Sequence, residues 1–192
     1  NYLQTGESAN IPLMFSVANG EYAYLNPSYT FIKYRNQIPA FTNLHNGCTR
    51  DNTSGLIWMT DGNLLGMGKW GLSTTSGTVQ YIVTQMNTNS AAAGYNLCGY
   101  TDWRLPSKAE FQGLIDDAKL AGAPDNYDGI YDWLNNNGFK LVQPDYWAST
   151  NSSGVTNKAD KVGLAGLGYI SSATTGNNLA STWAVRGQAV AP

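Results

Sequence analysis

The stretch Asp102-Trp103-Arg104-Leu105-Pro106 runs directly into Ser107-Lys108-Ala109-Glu110-Phe111. Ser107 is a helix N-cap residue, and Glu110 stands three positions on, where its carboxylate reaches back to the cap: a capping box. Pro106 keeps upstream backbone from running into that cap. Beyond it, Phe111, Leu114, Ile115 and Ala118 recur at helical spacing and form one apolar stripe. Ahead of the cap, Trp103 and Leu105 read as core anchors. Arg104 reads as a bridge to Asp102 or to backbone carbonyls at the start of the helix. A carboxylate beside a guanidinium also fits catalysis, but the structural reading is preferred. Arg186 is expected to do a similar job under the sheet.

Working outward, Val79, Ile82, Val83 and Met86 fall at i, i+3, i+4 and i+7, which predicts a helix over 77–92. Leu56-Ile57-Trp58-Met59 reads as a strand leaving the turn Asn52-Thr53-Ser54-Gly55. Ile11–Val17 and Tyr29–Tyr34 read as short strands, with Asn19-Gly20 and Asn26-Pro27 as turn signals. Leu44–Thr53 reads as a polar connector. Residues 120–145 read as a long ordered loop with one short helical turn. Tyr146–Thr150, Val162–Ile170 and Thr182–Arg186 read as strands, parted by the turn-rich segments Asn151–Asp160 and Ser171–Ser181. Strands with helices concentrated in the middle predict an α+β class.

The length of 192 residues suits one domain with an elaborated arm, drawn as an arm over 1–44 and a domain over 45–192. Charged residues make up only 12%, while 21 Gly, 12 Tyr, 6 Trp and many amides and hydroxyls fill the difference. That profile points to a loop-rich, secreted or cell-surface protein and away from a cytosolic helical enzyme. The net charge is −2, and Lys and Arg are scattered singly, so nucleic acid is not an expected partner. No apolar run approaches the length of a transmembrane segment. Asn1-Tyr2-Leu3-Gln4 lacks the charge and apolar core of a signal peptide, so a secreted form is expected to be mature. Cys48 and Cys98 suit one disulfide in an oxidising compartment, closing a loop of about fifty residues worth roughly 3–4 kcal/mol. Two separate buried thiols are the alternative.

Five motifs in order carry a family resemblance. They are Asp51-Asn52-Thr53-Ser54-Gly55-Leu56-Ile57-Trp58, Trp70 before a helix, Asp102–Pro106 with Glu110-Phe111 and Leu114-Ile115-Asp116, Tyr146-Trp147-Ala148-Ser149-Thr150, and Trp183-Ala184-Val185-Arg186-Gly187. Together they resemble a bacterial family named after the C-terminal domain of the Legionella collagen-like adhesin, strongly over 45–187 and weakly before. The resemblance implies a C-type-lectin-like fold: two helices packed on a twisted antiparallel sheet, with long loops. It makes Trp58, Trp103, Arg104, Trp147 and Arg186 structural residues. It also implies adhesion as a homotrimer that recognises a glycan, with sulfated glycosaminoglycan as one candidate. The alternative is a protein-binding or structural subunit of a surface fibre. Enzymes that oxidise a cysteine in sulfatases share only the broader fold and need two closely placed active-site cysteines, so no catalytic residue and no enzyme activity are expected.

Binding is expected on the loops at 120–145, 151–161 and 171–181. Tyr127, Tyr131, Trp133 and Tyr169 would stack on sugar rings or meet a protein, or else pack the long loop on the core. Lys158 and Lys161, placed on one loop, would meet sulfate or carboxylate. Gln143-Pro144-Asp145 is half of a calcium-dependent sugar motif, but its partner strand reads Thr182-Trp183-Ala184-Val185. Asp125, Asp128 and Asp132, with Asp145, are the remaining oxygen ligands for Ca²⁺. An acidic solvated loop is the preferred account, and no metal or other cofactor is expected. His45, the single histidine, reads as a connector residue.

Overall fold

The computed structural model describes residues 14–17, 21–25, 31–35, 39–124, 126, 129–151, 158–165, 168–174 and 178–188. Contacts divide the chain into two units, Asn1–Pro39 and Ala40–Pro192. In the first, β1 (Met14–Val17), β2 (Glu21–Leu25) and β3 (Phe31–Arg35) form an antiparallel meander with Met14 opposite Tyr24 and Glu21 opposite Arg35. The sequence reading anticipated strands at β1 and β3. It missed β2, which occupies the space between the two turn signals.

The second unit contains, in chain order, β4 (Phe41–Asn43), β5 (Cys48–Asp51), β6 (Ile57–Met59), β7 (Met67–Lys69), α1 (Val79–Thr88), α2 (Lys108–Leu120), α3 (Gly129–Asn136), β8 (Asp145–Asn151), β9 (Lys158–Gly163), β10 (Tyr169–Thr174), β11 (Leu179–Ser181) and β12 (Val185–Arg186). One sheet has the order β12-β6-β5-β4 and the other β10-β9-β8-β11-β7. All pairings are antiparallel except β11 with β8, which is parallel. The class is α+β, with three helices rather than two. Phe41–Asn43, ahead of the expected domain start, pairs with β5 and belongs to this unit.

Several local expectations change. The supposed connector at 44–53 holds β5, because Thr49 and Asp51 bury their polar groups with partners. The Thr49 hydroxyl donates to Gly138 O at 2.6 Å and lies 2.9 Å from the Thr60 hydroxyl. Asp51 accepts from the Thr53 and Ser54 N–H groups. Val162–Ile170 is not one strand but the end of β9, a connection, and the start of β10. Of Thr182–Arg186, only Val185–Arg186 is strand. The first helix is capped by Thr78 and stops at Thr88. Cys48 and Cys98 form a disulfide with Cα atoms 6.4 Å apart. It fastens β5 to the turn-rich segment before Tyr100.

The capping box forms as the sequence predicts: Ser107 N–H donates to Glu110 Oε2 at 2.7 Å, and Glu110 N–H to Ser107 Oγ at 3.2 Å. The helix so started buries Phe111, Leu114, Ile115 and Ala118 and packs on β8, β9 and α3. The strip ahead of the cap joins four elements. Asn87 of α1 clamps Trp103, its amide nitrogen donating to Trp103 O at 2.6 Å and its oxygen accepting from Trp103 N–H at 3.0 Å. Arg104 exchanges two backbone bonds of 2.9 Å with Val185 of β12. Pro106 O accepts from Ser149 N–H of β8 at 2.8 Å.

Trp183 sits where the chain passes from one sheet to the other. It is fully buried, and its ring centroid lies 5.2 Å from Trp58, 6.4 Å from Phe111, 5.2 Å from Phe139 and 5.0 Å from Tyr146. Its indole N–H donates to Met59 O at 2.8 Å. Trp147 is fully buried too and donates to Gly68 O at 3.0 Å.

Two stability outcomes follow from this packing. Trp183→Ala removes the shared ring and should cost about 3–5 kcal/mol in urea denaturation, whereas Leu120→Ala, at a residue 61% exposed, should change little. Replacing Cys48 and Cys98 together by Ala should lower stability by roughly 3–4 kcal/mol without altering the far-ultraviolet circular dichroism of the folded protein.

Candidate functional site

The loop read over 120–145 contains a real helix, α3, and its phase explains what it presents. Ile130 and Leu134 are four residues apart and point into the core. At 100° per residue, Tyr131 and Trp133 project about 80° to either side of that buried stripe. Each is therefore half-buried, on opposite flanks of one helix. Asn135 follows Tyr131 on its side, and Asn136 follows Trp133 on the other. Gly129 begins the helix where a Cβ would lie 1.7 Å from Pro124 O. Only glycine lets the Pro124 carbonyl approach the start of the helix this closely.

A groove runs along each flank. On the Trp133 side it encloses about 460 Å³ between Pro124, Asn126, Asp132, Trp133, Asn136 and Asn137. On the Tyr131 side it encloses about 400 Å³ between Tyr131, Asn135, Lys140, Leu141 and Gln143. Trp133 is held edge-on against Phe41, with centroids 6.0 Å apart and planes at 65°. An aromatic flanked by amides can stack on the apolar face of a sugar ring and hydrogen-bond its hydroxyls.

The other expected ligand residues are not gathered here. Tyr127, Asp125 and Asp128 lie outside the described residues. Tyr169 is 54% exposed, yet one face of its ring covers Gly163, directly opposite on β9, where a Cβ would come within 2.3 Å of the ring. Lys158 and Lys161 are on strand β9, not on a loop. Three residues apart on a strand, they point to opposite faces and do not converge. Lys161 pairs with Asp145 at 2.8 Å, and Lys140 with Asp61 at 3.6 Å. Asp145 is thereby engaged by a cation, and the exposed Asp132 lies on α3. Among the described residues, no three His, Cys, Asp or Glu side chains come together as metal ligands. His45 is exposed in the connector between β4 and β5.

The two arginines are structural: Arg104 takes a backbone carbonyl, one of its two expected partners, but its carboxylate is Glu110, and Asp102 goes to Arg186. Arg104 forks onto both oxygens of Glu110 and reaches Gly187 O at 2.8 Å. Arg186 holds Asp102, at 2.7 and 3.1 Å, and lies 3.6 Å over the Tyr100 ring. Arg104 turns to Glu110 because the capping box has already brought that carboxylate to the helix start. Burial pushes the Glu110 carboxyl up, but the Arg104 guanidinium and the Ser107 N–H and hydroxyl outweigh it and hold it below its ordinary value. The Arg186 hydrogen bond likewise lowers Asp102. Burial pushes the Tyr146 phenol upward; it donates to Gly62 O at 3.0 Å and accepts from Gln143 N–H at 2.6 Å.

The scaffold is a disulfide-tied α+β fold that displays aromatic and amide side chains along one short helix. The chain belongs to the Lcl C-terminal domain family, whose model matches residues 47–186. No curated protein and no solved structure matches it.

Because the folded-state value of Glu110 is depressed, its contribution to stability is fully present above the ordinary glutamate range, near pH 4.3, and is lost as pH falls through the lowered value. Glu110→Gln should therefore be less stable than the parent protein at pH 7, and the gap should narrow on acidification. Denaturation midpoints measured from about pH 7 down to about pH 3 check this; a gap that stays constant would remove Glu110 from the acid response.

Proposed function

We propose that this is the ligand-binding domain of a surface or secreted adhesin, and that it recognises glycan through the two flanks of α3 without catalysis. The observation that carries the reading is the symmetric placement of Tyr131 and Trp133 about the buried stripe, each above a groove lined with amides. Rigid aromatics bound to a packed core, next to hydrogen-bonding side chains, are the means by which sugars are held without charge. Both cysteines are joined in a disulfide, and the single histidine sits in a connector. The disulfide supports an oxidising compartment. No described helix is long and apolar enough to cross a membrane. Presentation as a homotrimer, implied by the family resemblance, would set three such faces side by side and raise avidity.

Trp133→Ala and Tyr131→Ala test the reading on an immobilised glycan panel. Each is expected to weaken retention about tenfold or more, with thermal midpoints recorded alongside to separate lost binding from lost folding. Folded variants that bind as the parent protein does would place recognition elsewhere. A parent protein that ignores every glycan but captures copies of itself would favour the structural-subunit reading.

A further inference from the structure

We infer that Asn46-Gly47 is a site of spontaneous covalent modification: Asn46 deamidates by attack of the Gly47 backbone nitrogen, and the fold opens this pair to the reaction while protecting its counterparts. The inference goes beyond the glycan reading and does not depend on it. Asn-Gly also occurs at 19–20 and 137–138, and Asp-Gly at 61–62 and 128–129. Residues 19, 20 and 128 lie outside the described ones. In such pairs the glycine has no Cβ to crowd its nitrogen, which can then approach the side-chain carbon of the residue before it. The Gly47 nitrogen bonds to Asn46 Cγ and gives up its proton to water. The Cγ–Nδ2 bond breaks, and ammonia leaves. Water then opens the resulting cyclic imide at one carbonyl or the other, leaving aspartate or isoaspartate at 46. Water is the co-reactant, and nothing is oxidised or reduced.

The turn at Asn46 suits each part of this step. Both residues are exposed, so water reaches them. Cys48 N–H donates to Asn46 Oδ1 at 3.3 Å. That bond closes a turn in which the side-chain carbonyl stands in for a backbone one, which holds Cγ beside the Gly47 nitrogen. The same N–H draws charge from the carbonyl under attack. Among the described residues, neither Asn46 Nδ2 nor Gly47 N–H is engaged in a hydrogen bond, so leaving group and nucleophile are both free. The other pairs each lose one of these. Asn137 Nδ2 donates to Trp133 O at 2.7 Å, which draws the amide back along α3 and away from the Gly138 nitrogen. Gly62 N–H donates to Lys140 O at 2.9 Å, which occupies that nucleophile, and the Asp61 carboxylate pairs with Lys140. Modification at 46 has a local effect. Gly47 O accepts from Thr60 N–H at 2.9 Å, and the next residue, Cys48, is the buried end of the disulfide. Isoaspartate would place an extra backbone carbon next to both ties, and either product adds a negative charge to a chain of net charge −2. The altered fraction grows with time, so this connector records the age of the molecule.

The test incubates the full, disulfide-bonded chain in mildly alkaline buffer at physiological temperature, beside a second sample reduced and held unfolded in urea. Peptide mapping by mass spectrometry, with fragmentation that separates aspartate from isoaspartate, gives a rate for each pair. In the unfolded chain Asn46 and Asn137 should convert at similar rates, because only the local sequence then acts. Folding should slow Asn137 at least about tenfold and leave Asn46 within about threefold of its unfolded rate. Isoaspartate at 61 should form in the unfolded sample alone. A folded chain in which Asn46 is slowed as much as Asn137 overturns the inference. So does a folded chain that converts Asn137, or Asp61, as fast as Asn46.

Discussion

Backbone hydrogen bonding along Trp103–Ser107 is the constraint on which the second unit depends. A buried strip of extended chain must find partners for its N–H and C=O groups or lose stability for each one left over. Here every partner belongs to a different element. Asn87 of α1 holds Trp103, Val185 of β12 holds Arg104, Ser149 of β8 holds Pro106, and Glu110 of α2 holds Ser107. Two helices and one strand from each sheet are therefore fixed relative to a single five-residue strip. Trp103 and Leu105, both buried, keep the strip from leaving the core.

Trp183 completes what the strip begins. It follows β11, in one sheet, and precedes β12, in the other, and its ring is shared by aromatic residues from β6, α2 and β8 together with Phe139. The same packing supports α3, whose Ile130 and Leu134 are fully buried while Trp133 leans on Phe41 of β4. The flanks of α3 thus stand on a rigid base. That is a useful arrangement for recognition, since little side-chain order is then lost on binding.

Much of the scaffold was legible in the sequence because its signals are local. A capping box, a Pro ahead of it and an apolar stripe all lie between Pro106 and Ala118, and the structure shows all three. The large aromatic anchors and the disulfide were also legible. What was not legible depended on distant partners. β5 hid because Thr49 and Asp51 are polar, and only Gly138, Thr60 and the following turn make their burial tolerable. α3 hid among Asn, Asp and Gly residues, although Ile130 and Leu134 were spaced to mark it. The backbone-carbonyl partner of Arg104 was legible, but its carboxylate was not, because Asp102 is nearer in sequence whereas the fork geometry is satisfied across the helix cap. The lysines of β9 looked like neighbours on a loop; strand alternation separates them. Tyr131 and Trp133 were named in the sequence as aromatics that either meet a ligand or pack the loop on the core; both are half-buried, and nothing local showed that they straddle one helix.

Native-state hydrogen exchange on the Arg104, Ser149 and Val185 amides tests the central claim most directly. If the strip joins both sheets and both helices into one cooperative unit, these three amides should exchange only through global unfolding, with the same free energy as the Tyr146 and Trp58 amides and as denaturant unfolding. Exchange of Arg104, Ser149 and Val185 through a local opening of clearly lower free energy, while the sheet interiors stay protected, would contradict it.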